Sequence, residues 1–193
     1  MRNWTKILIM MTAVWMLAGC GSEEAPDRNT VSIQKDGTIR QVIVDQFEQE
    51  YYNIEELEAL AQEKIDRSGS GGTIACESVK ADGENIIVEM TYQADNDYTD
   101  FNNRELFCGT VSEASAQGYA LQGLVSQDGT AVSGEDIPGE NRIVIIQTKA
   151  GEVLDVNVYG KIVYTSGNIT LSGKKDALID AGENDVVSYV IYQ

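Results

Sequence analysis

The sequence of 193 residues contains no histidine, only two prolines and only three cysteines. Without histidine there is no imidazole to act as a general base, to activate a serine or cysteine nucleophile, or to bind a metal. Serine also occurs without the Gly-x-Ser-x-Gly elbow of α/β-hydrolases. These absences predict that the protein is not an enzyme and carries no cofactor.

Basic residues are scarce as well. Fourteen lysines and arginines stand against 31 aspartates and glutamates, which gives a formal charge of −17. Nucleic acids and anionic headgroups are bound through Lys and Arg contacts, so we expect no nucleic-acid partner. Two interpretations of the acidity remain: a surface kept soluble by repulsion, or attraction of divalent cations or basic partners.

The N-terminal residues have the order of an export signal. Arg2 and Lys6 precede the apolar run 7–16, and small residues then lead to Cys20. Because a membrane-spanning helix needs about 20 apolar residues, this run is too short for one.

The order Leu-Ala-Gly-Cys at 17–20 resembles the lipobox of bacterial lipoproteins, in which the cysteine thiol receives a diacylglycerol and the chain is cut before it. The resemblance implies a signal peptide over 1–19, a fatty-acyl (palmitate-type) anchor on Cys20 and a flexible tether over 20–29. Two acyl chains hold a protein firmly to a bilayer. It also implies a lipid-anchored location on the extracytoplasmic face of the cell membrane. Cleavage would remove Arg2 and Lys6, with no acid, and so take the formal charge from −17 to −19.

The two remaining cysteines, Cys76 and Cys108, lie in or beside predicted strands. Export permits a disulfide between them, but the bond requires Cα atoms within about 7 Å, a distance that the sequence does not fix. Unpaired cysteine also behaves as a small buried hydrophobe. Both interpretations stay open.

The hydrophobic pattern predicts an α+β fold in which antiparallel sheets dominate and the C-terminal part is nearly all β. Turn formers at 134–141 mark a boundary between an α+β region, 30–133, and a β-rich region, 142–193, as one composite domain or two lobes. Strands are predicted at 30–34, 38–44, 73–80, 85–93, 121–126, 142–147, 152–159, 161–166, 168–171 and 186–192.

Two helices are predicted. An amphipathic helix over about 53–66 begins at Asn53, which forms a capping-box pattern with Glu56. Its first-turn glutamates, Glu55 among them, complement the positive end of the helix dipole. A shorter helix covers 112–117 and is closed by Gly118.

The alternating acids Asp95, Asp97 and Asp100 are candidate calcium ligands. An EF-hand loop starting at Asp95 requires glycine and glutamate where this chain has Asp100 and Leu106. The competing interpretation is a turn or helix start, where such side chains cap their own backbone.

Aromatic and acidic residues alternate over 97–102 and again around Phe107. This stretch is similar to segments of uncharacterised lipoproteins of Gram-positive anaerobes, a resemblance that brings no known activity. Tyr98, Phe101 and Phe107 are expected either to pin a loop against the sheet as core aromatics or to form the rim of a ligand site.

These observations favour a membrane-anchored, extracytoplasmic lipoprotein that acts as a non-catalytic binding or scaffolding module of the cell envelope. Its expected partners are the membrane, through the lipid on Cys20, and an envelope protein, peptide or glycan. The alternative is a small-ligand or calcium receptor that uses the acids at 95–100. An envelope hydrolase with paired carboxylates is less favoured.

Overall fold

The computed structural model describes residues 26–46, 53–69 and 72–193. The signal peptide and Cys20 predicted from the sequence lie outside the described residues. The described part folds as an α+β protein dominated by two sheets, as predicted. Its elements are β1 Thr30–Ile33, β2 Ile39–Gln46, α1 Ile54–Ser68, β3 Ile74–Asp82, β4 Asn85–Tyr92, α2 Asp95–Asn102, β5 Leu106–Thr110, α3 Val111–Ala116, β6 Leu124–Ser126, β7 Ala131–Val132, a 3₁₀ turn Gly134–Asp136, β8 Arg142–Thr148, β9 Val153–Val158, β10 Ile162–Ser166, β11 Ile169–Leu171, β12 Asp176–Asp180 and β13 Val186–Tyr192.

The larger sheet has seven strands in the order β11-β12-β9-β1-β2-β4-β3. Its neighbours pair in antiparallel fashion except β1 and β9, which are parallel. The parallel pair joins the first strand of the described residues to one that begins more than 120 residues later. Asn29, assigned to the tether by sequence, already accepts from the Asp155 N–H at 2.9 Å and from the Val44 N–H at 2.9 Å.

The smaller sheet has six strands in the order β5-β8-β13-β10-β6-β7. Both of its faces are covered. Val144 and Ile146 of β8 pack into the same cluster as strands of the larger sheet, whereas Ile143 and Ile145 pack with α3 and the loop around Ile137. This explains why β8 reads as an unbroken apolar run rather than an alternating one. Each sheet takes strands from both sides of residues 134–141.

The predicted strands are found, with ends shifted by one to a few residues, and residues 142–193 are nearly all β as expected. The helices at 54–68 and 111–116 correspond to the two predicted ones. Asn53 caps α1 by accepting from the Glu55 N–H at 2.9 Å, and Gly69 ends it with φ of 73°.

The strands β5, β7 and β12 were not predicted, and α2 was anticipated only through the alternative of a turn or helix start at 95–100. The α2 sequence is rich in Asp, Asn and Thr, which are poor helix formers. Tertiary contacts outweigh that propensity, because Tyr98 is only 2% exposed and meets Tyr92 edge-to-face at 5.2 Å between ring centroids.

Candidate functional site

The candidate calcium ligands lie in the first two turns of α2. One Asp95 oxygen accepts from the Cys108 N–H at 2.7 Å, and the other accepts from the Asn96 N–H. Asp97 accepts from the Ala94 N–H at 3.1 Å and from the Thr73 hydroxyl at 2.7 Å. Two of the three carboxylates are therefore engaged as helix-start acceptors that also tie α2 to β5 and to the residue before β3.

Asp100, the third candidate, is exposed on the same helix. Among residues 26–46, 53–69 and 72–193, no group of three or more Cys, Asp or Glu side chains is placed to hold a metal ion. The acids that the sequence brings together at 95–100 thus point to separate partners in the fold.

Cys76 and Cys108 are free thiols, so the disulfide alternative is not what the structure has. Cys76 lies on β3 of the larger sheet and Cys108 on β5 of the smaller one, and both pack against the core between the sheets. Burial raises the pKa of each thiol, which makes both poor nucleophiles.

The aromatics near 98–107 are core residues rather than the rim of a site. Tyr98 and Phe107 are buried, and Phe101 packs against the same cluster as Tyr98. Phe101 also receives the Lys64 ammonium at 4.1 Å from its ring centroid, which links α1 to α2.

The Ser-x-x-Lys spacing of some acyl-transfer enzymes occurs at Ser32–Lys35 and at Ser172–Lys175. The first pair runs from β1 into its turn, and the second lies in the bend before β12. Serine and lysine three apart face each other on a helix, not in extended chain. Neither pair therefore has the geometry of a nucleophile with its base.

A groove of about 420 Å³ lies between α1 and β3. Helix α1 contributes Glu55, Glu58, Ala59 and Gln62, which fall on one side of the helix because they are three or four residues apart. Strand β3 contributes the other wall, Cys76 to Ser78, at a bulge in its pairing with β4. Bulges locally re-aim side chains, and this one lies directly at the groove.

The groove is lined by carboxylates. Glu55, Glu58 and Glu77 form no ion pair or side-chain hydrogen bond with any residue that the structure describes. Two of these carboxylates act on the nearby Cys76 thiol. Burial is the largest cause of its raised pKa, and the negative charges of Glu58 and Glu77 raise that pKa further. The groove is therefore a region of negative potential within an already acidic protein.

Strand β3 is also an edge of the seven-stranded sheet. It is nine residues long and pairs on one side only, with β4. In an antiparallel pair alternate residues direct their N–H and C=O groups away from the partner strand. The groove therefore combines an edge strand that has no strand partner on its outer side with carboxylates that have no ion-pair partner among the described residues.

Two other cavities contain ion pairs. One of about 610 Å³ on the open face of the larger sheet is lined by Arg40, Lys80 and Glu89, and both cations contact the Glu89 carboxylate. Another, of about 430 Å³, contains Arg104 in a bidentate pair with Glu152 at 2.6 and 2.7 Å. Neither presents an unpaired set of like charges.

Sequence reasoning interpreted Glu55 and Glu58 only as charges that complement the helix dipole, and it assigned no role to Glu77. Glu77 lies on a strand, 19 residues after Glu58 in the sequence. Nothing in the residues around it indicates that its side chain will face a helix. The groove arises when α1 packs beside β3, a contact of tertiary structure.

None of the helices in the described part of the chain combines the length and apolar character needed to cross a bilayer. Comparison with protein-family models, with curated proteins and with solved structures finds no match to this chain.

Proposed function

We propose that this chain is the precursor of a membrane-anchored, extracytoplasmic lipoprotein whose folded part is a non-catalytic binding module of the cell envelope. The lipobox resemblance at 17–20 supports the anchor. The observation that carries the binding role is the groove between α1 and the free edge of β3, with three carboxylates that have no partner among the described residues.

The structure favours this proposal over a calcium receptor, because Asp95 and Asp97 accept hydrogen bonds from within the fold. Support for a hydrolase is also lacking among the described residues, because both Ser-x-x-Lys pairs lie outside helices and burial raises the pKa of both thiols.

The anchor is tested by replacing Cys20 with serine in cells that export the chain. We expect Cys20→Ser to abolish incorporation of labelled palmitate and to release the protein from the membrane fraction. Cys76→Ser is the matched control and should remain lipidated and membrane-bound. Membrane retention of the Cys20 variant would overturn the assignment of the anchor.

The binding site is tested by photo-crosslinking from two positions of α1 in cells. A photoreactive residue in place of Ala59 lies in the groove, whereas one in place of the exposed Leu60 projects from a different side of the helix. We expect discrete adducts from position 59 and none from position 60. Equal crosslinking from both positions, or none from position 59, would overturn the groove as the site.

A further inference from the structure

The free edge of β3 defines the form of a ligand. Nine residues of strand span about 30 Å, with outward N–H and C=O groups repeating every second residue, about 6.7 Å. A second extended chain matches that repeat and satisfies these groups by main-chain hydrogen bonds. Strand addition of this kind is a general mode of peptide recognition.

Helix α1 limits where such a chain can lie. The groove-facing positions from Glu55 to Gln62 span eight residues, or about 10 Å along the helix from the first to the last. That length covers about three residues of an added strand. Side chains on one side of the added strand would therefore meet the Glu55 and Glu58 carboxylates, while its backbone pairs with β3.

The charge of the groove defines the composition of the ligand. Glu55, Glu58 and Glu77 favour lysine or arginine on the entering segment and oppose acidic ones. A second copy of this chain is disfavoured, because each copy would bring the same three carboxylates to the contact.

Protection of the sheet edge accounts for part of this arrangement but not all of it. Charged residues and bulges on edge strands prevent uncontrolled pairing, and β3 has both. Protection gives no reason for Glu55 and Glu58, on a different element, to face the same groove.

We propose that the α1–β3 groove binds an extended segment of a partner protein, bearing lysine or arginine, as an additional strand on the edge of β3. This inference rests on the proposed function, which it sharpens to a ligand class. The groove carboxylates recognise the charge of the segment, and hydrogen bonds to the β3 backbone fix the register of the added strand.

The first test measures binding of a defined probe to the full chain in non-ionic detergent. The probe is a fluorescein-labelled nonapeptide of alternating lysine and threonine, and a peptide with glutamate in place of lysine is its control. Fluorescence anisotropy should show saturable binding of the lysine peptide only. Binding of both peptides, or of the glutamate peptide alone, would overturn the charge complementarity.

Two double variants with equal net charge locate the site. We expect Glu58→Gln/Glu77→Gln to weaken binding about tenfold, because two charge contacts of about 0.7 kcal/mol each are removed. Glu56→Gln/Glu84→Gln removes two exposed charges away from the groove, one on α1 and one in the β3–β4 turn, and should change affinity less than about twofold. Equal effects would show a response to net charge alone and would overturn the site.

Backbone methylation of the peptide separates strand addition from simple charge attraction. Two peptides carry N-methyl groups on either the even or the odd residues, with identical side chains. An added strand offers alternate N–H groups to β3, so one methylation pattern should abolish binding and the other should leave it nearly unchanged. Equal loss or equal retention would overturn strand addition.

The outcomes also separate this inference from the proposed function. If no lysine peptide binds while position 59 still gives discrete adducts in cells, the ligand class is wrong and the binding module stands. If neither peptide binding nor crosslinking is observed, both the ligand class and the binding module are wrong.

Sedimentation of the full chain tests whether a second copy occupies the groove. Dimerisation that requires β3 would identify that second copy as the occupant and overturn the proposal.

Discussion

Helices α1 and α2 both begin with acidic residues, yet their carboxylates serve different ends. In α2 the side chains of Asp95 and Asp97 accept backbone and hydroxyl hydrogen bonds from neighbouring elements. In α1 the side chains of Glu55 and Glu58 face an open groove and have no partner among the described residues. The same helix-dipole rule is satisfied in both places.

The two helices also differ in the share of each that is buried. Each has one buried residue, Tyr98 among the eight of α2 and Ile65 among the fifteen of α1, and Leu60 of α1 is 58% exposed. The difference between the two sets of carboxylates shows that the role of an acidic cluster depends on the hydrogen-bond donors around it. Acids near unpaired N–H groups become structural, and acids beside a free surface remain available for binding.

The largest contrast should appear between the buried side chain of α2 and an exposed apolar side chain of α1. Tyr98→Ala should lower the free energy of unfolding by about 3–5 kcal/mol, since a buried aromatic ring is removed from the core. Leu60→Ala on α1 should change it by less than about 0.5 kcal/mol. Urea unfolding followed by circular dichroism measures both, and similar losses would contradict the contrast.

A smaller effect is expected from the carboxylates of α2. Asp95→Ala should destabilise the protein by about 1–3 kcal/mol, because it leaves the Cys108 N–H without its acceptor. Asp100→Ala, at an exposed position of the same helix, should have little effect. Urea unfolding midpoints of the two variants test this difference, and equal midpoints would contradict it.

Calcium binding by the acids of α2 predicts a different result for Asp95→Ala. If millimolar calcium raised the unfolding midpoint of the unmodified chain and Asp95→Ala abolished the rise, these acids would be ligands rather than helix caps. We expect no such rise.

Local patterns in the sequence predicted the elements whose causes are local. The turns Lys35–Thr38 and Gln127–Thr130 share the sequence x-Asp-Gly-Thr, and in both the Asp side chain accepts from the Thr N–H at 3.0 Å. Glycine follows the Asp with positive φ in each, 92° at Gly37 and 83° at Gly129. The conformation of such turns is determined by four consecutive residues, so it can be predicted directly from the sequence.

Features that depend on distant residues could not be read in this way. The parallel pairing of Val31 with Val156 needs two strands brought together across most of the chain. Helix α2 forms because Tyr98 reaches the core, against the propensity of its own residues. The candidate site has the same character, since Glu58 and Glu77 become neighbours only through the packing of α1 on β3.

The buried tyrosine of α2 should also make stability fall in alkali. Burial raises the pKa of Tyr98 from 10.0 to about 12. The folded state therefore holds a proton that the unfolded state releases between pH 10 and pH 12, so the free energy of unfolding decreases as pH rises through that window.

The size of this effect is bounded by one proton, or about 1.4 kcal/mol per pH unit. Tyr98→Phe should reduce the slope of stability against pH above pH 10, while Leu60→Ala should leave the slope unchanged. Urea midpoints measured across the window provide the test. An unchanged slope in Tyr98→Phe would show that this hydroxyl ionises equally in both states.

The smallest expected effect reports on the groove of α1. Burial, Glu58 and Glu77 together raise the pKa of the Cys76 thiol, so little thiolate is present at neutral pH. Glu58→Gln should increase the rate of alkylation of Cys76 by iodoacetamide a few-fold, because one of the charges that disfavour the thiolate is removed. The uncharged reagent avoids direct repulsion by the carboxylates.

The rate is measured in a Cys20→Ser/Cys108→Ser background, so that Cys76 is the one thiol in the chain. Glu56→Gln on the same helix is the matched control and should leave the rate unchanged. Because burial is the first cause of the raised pKa, neither variant should approach the rate of a fully exposed thiol. Equal rates in Glu58→Gln and Glu56→Gln would mean that the groove carboxylates do not act on Cys76, and the electrostatic contrast between the two helices would then be lost.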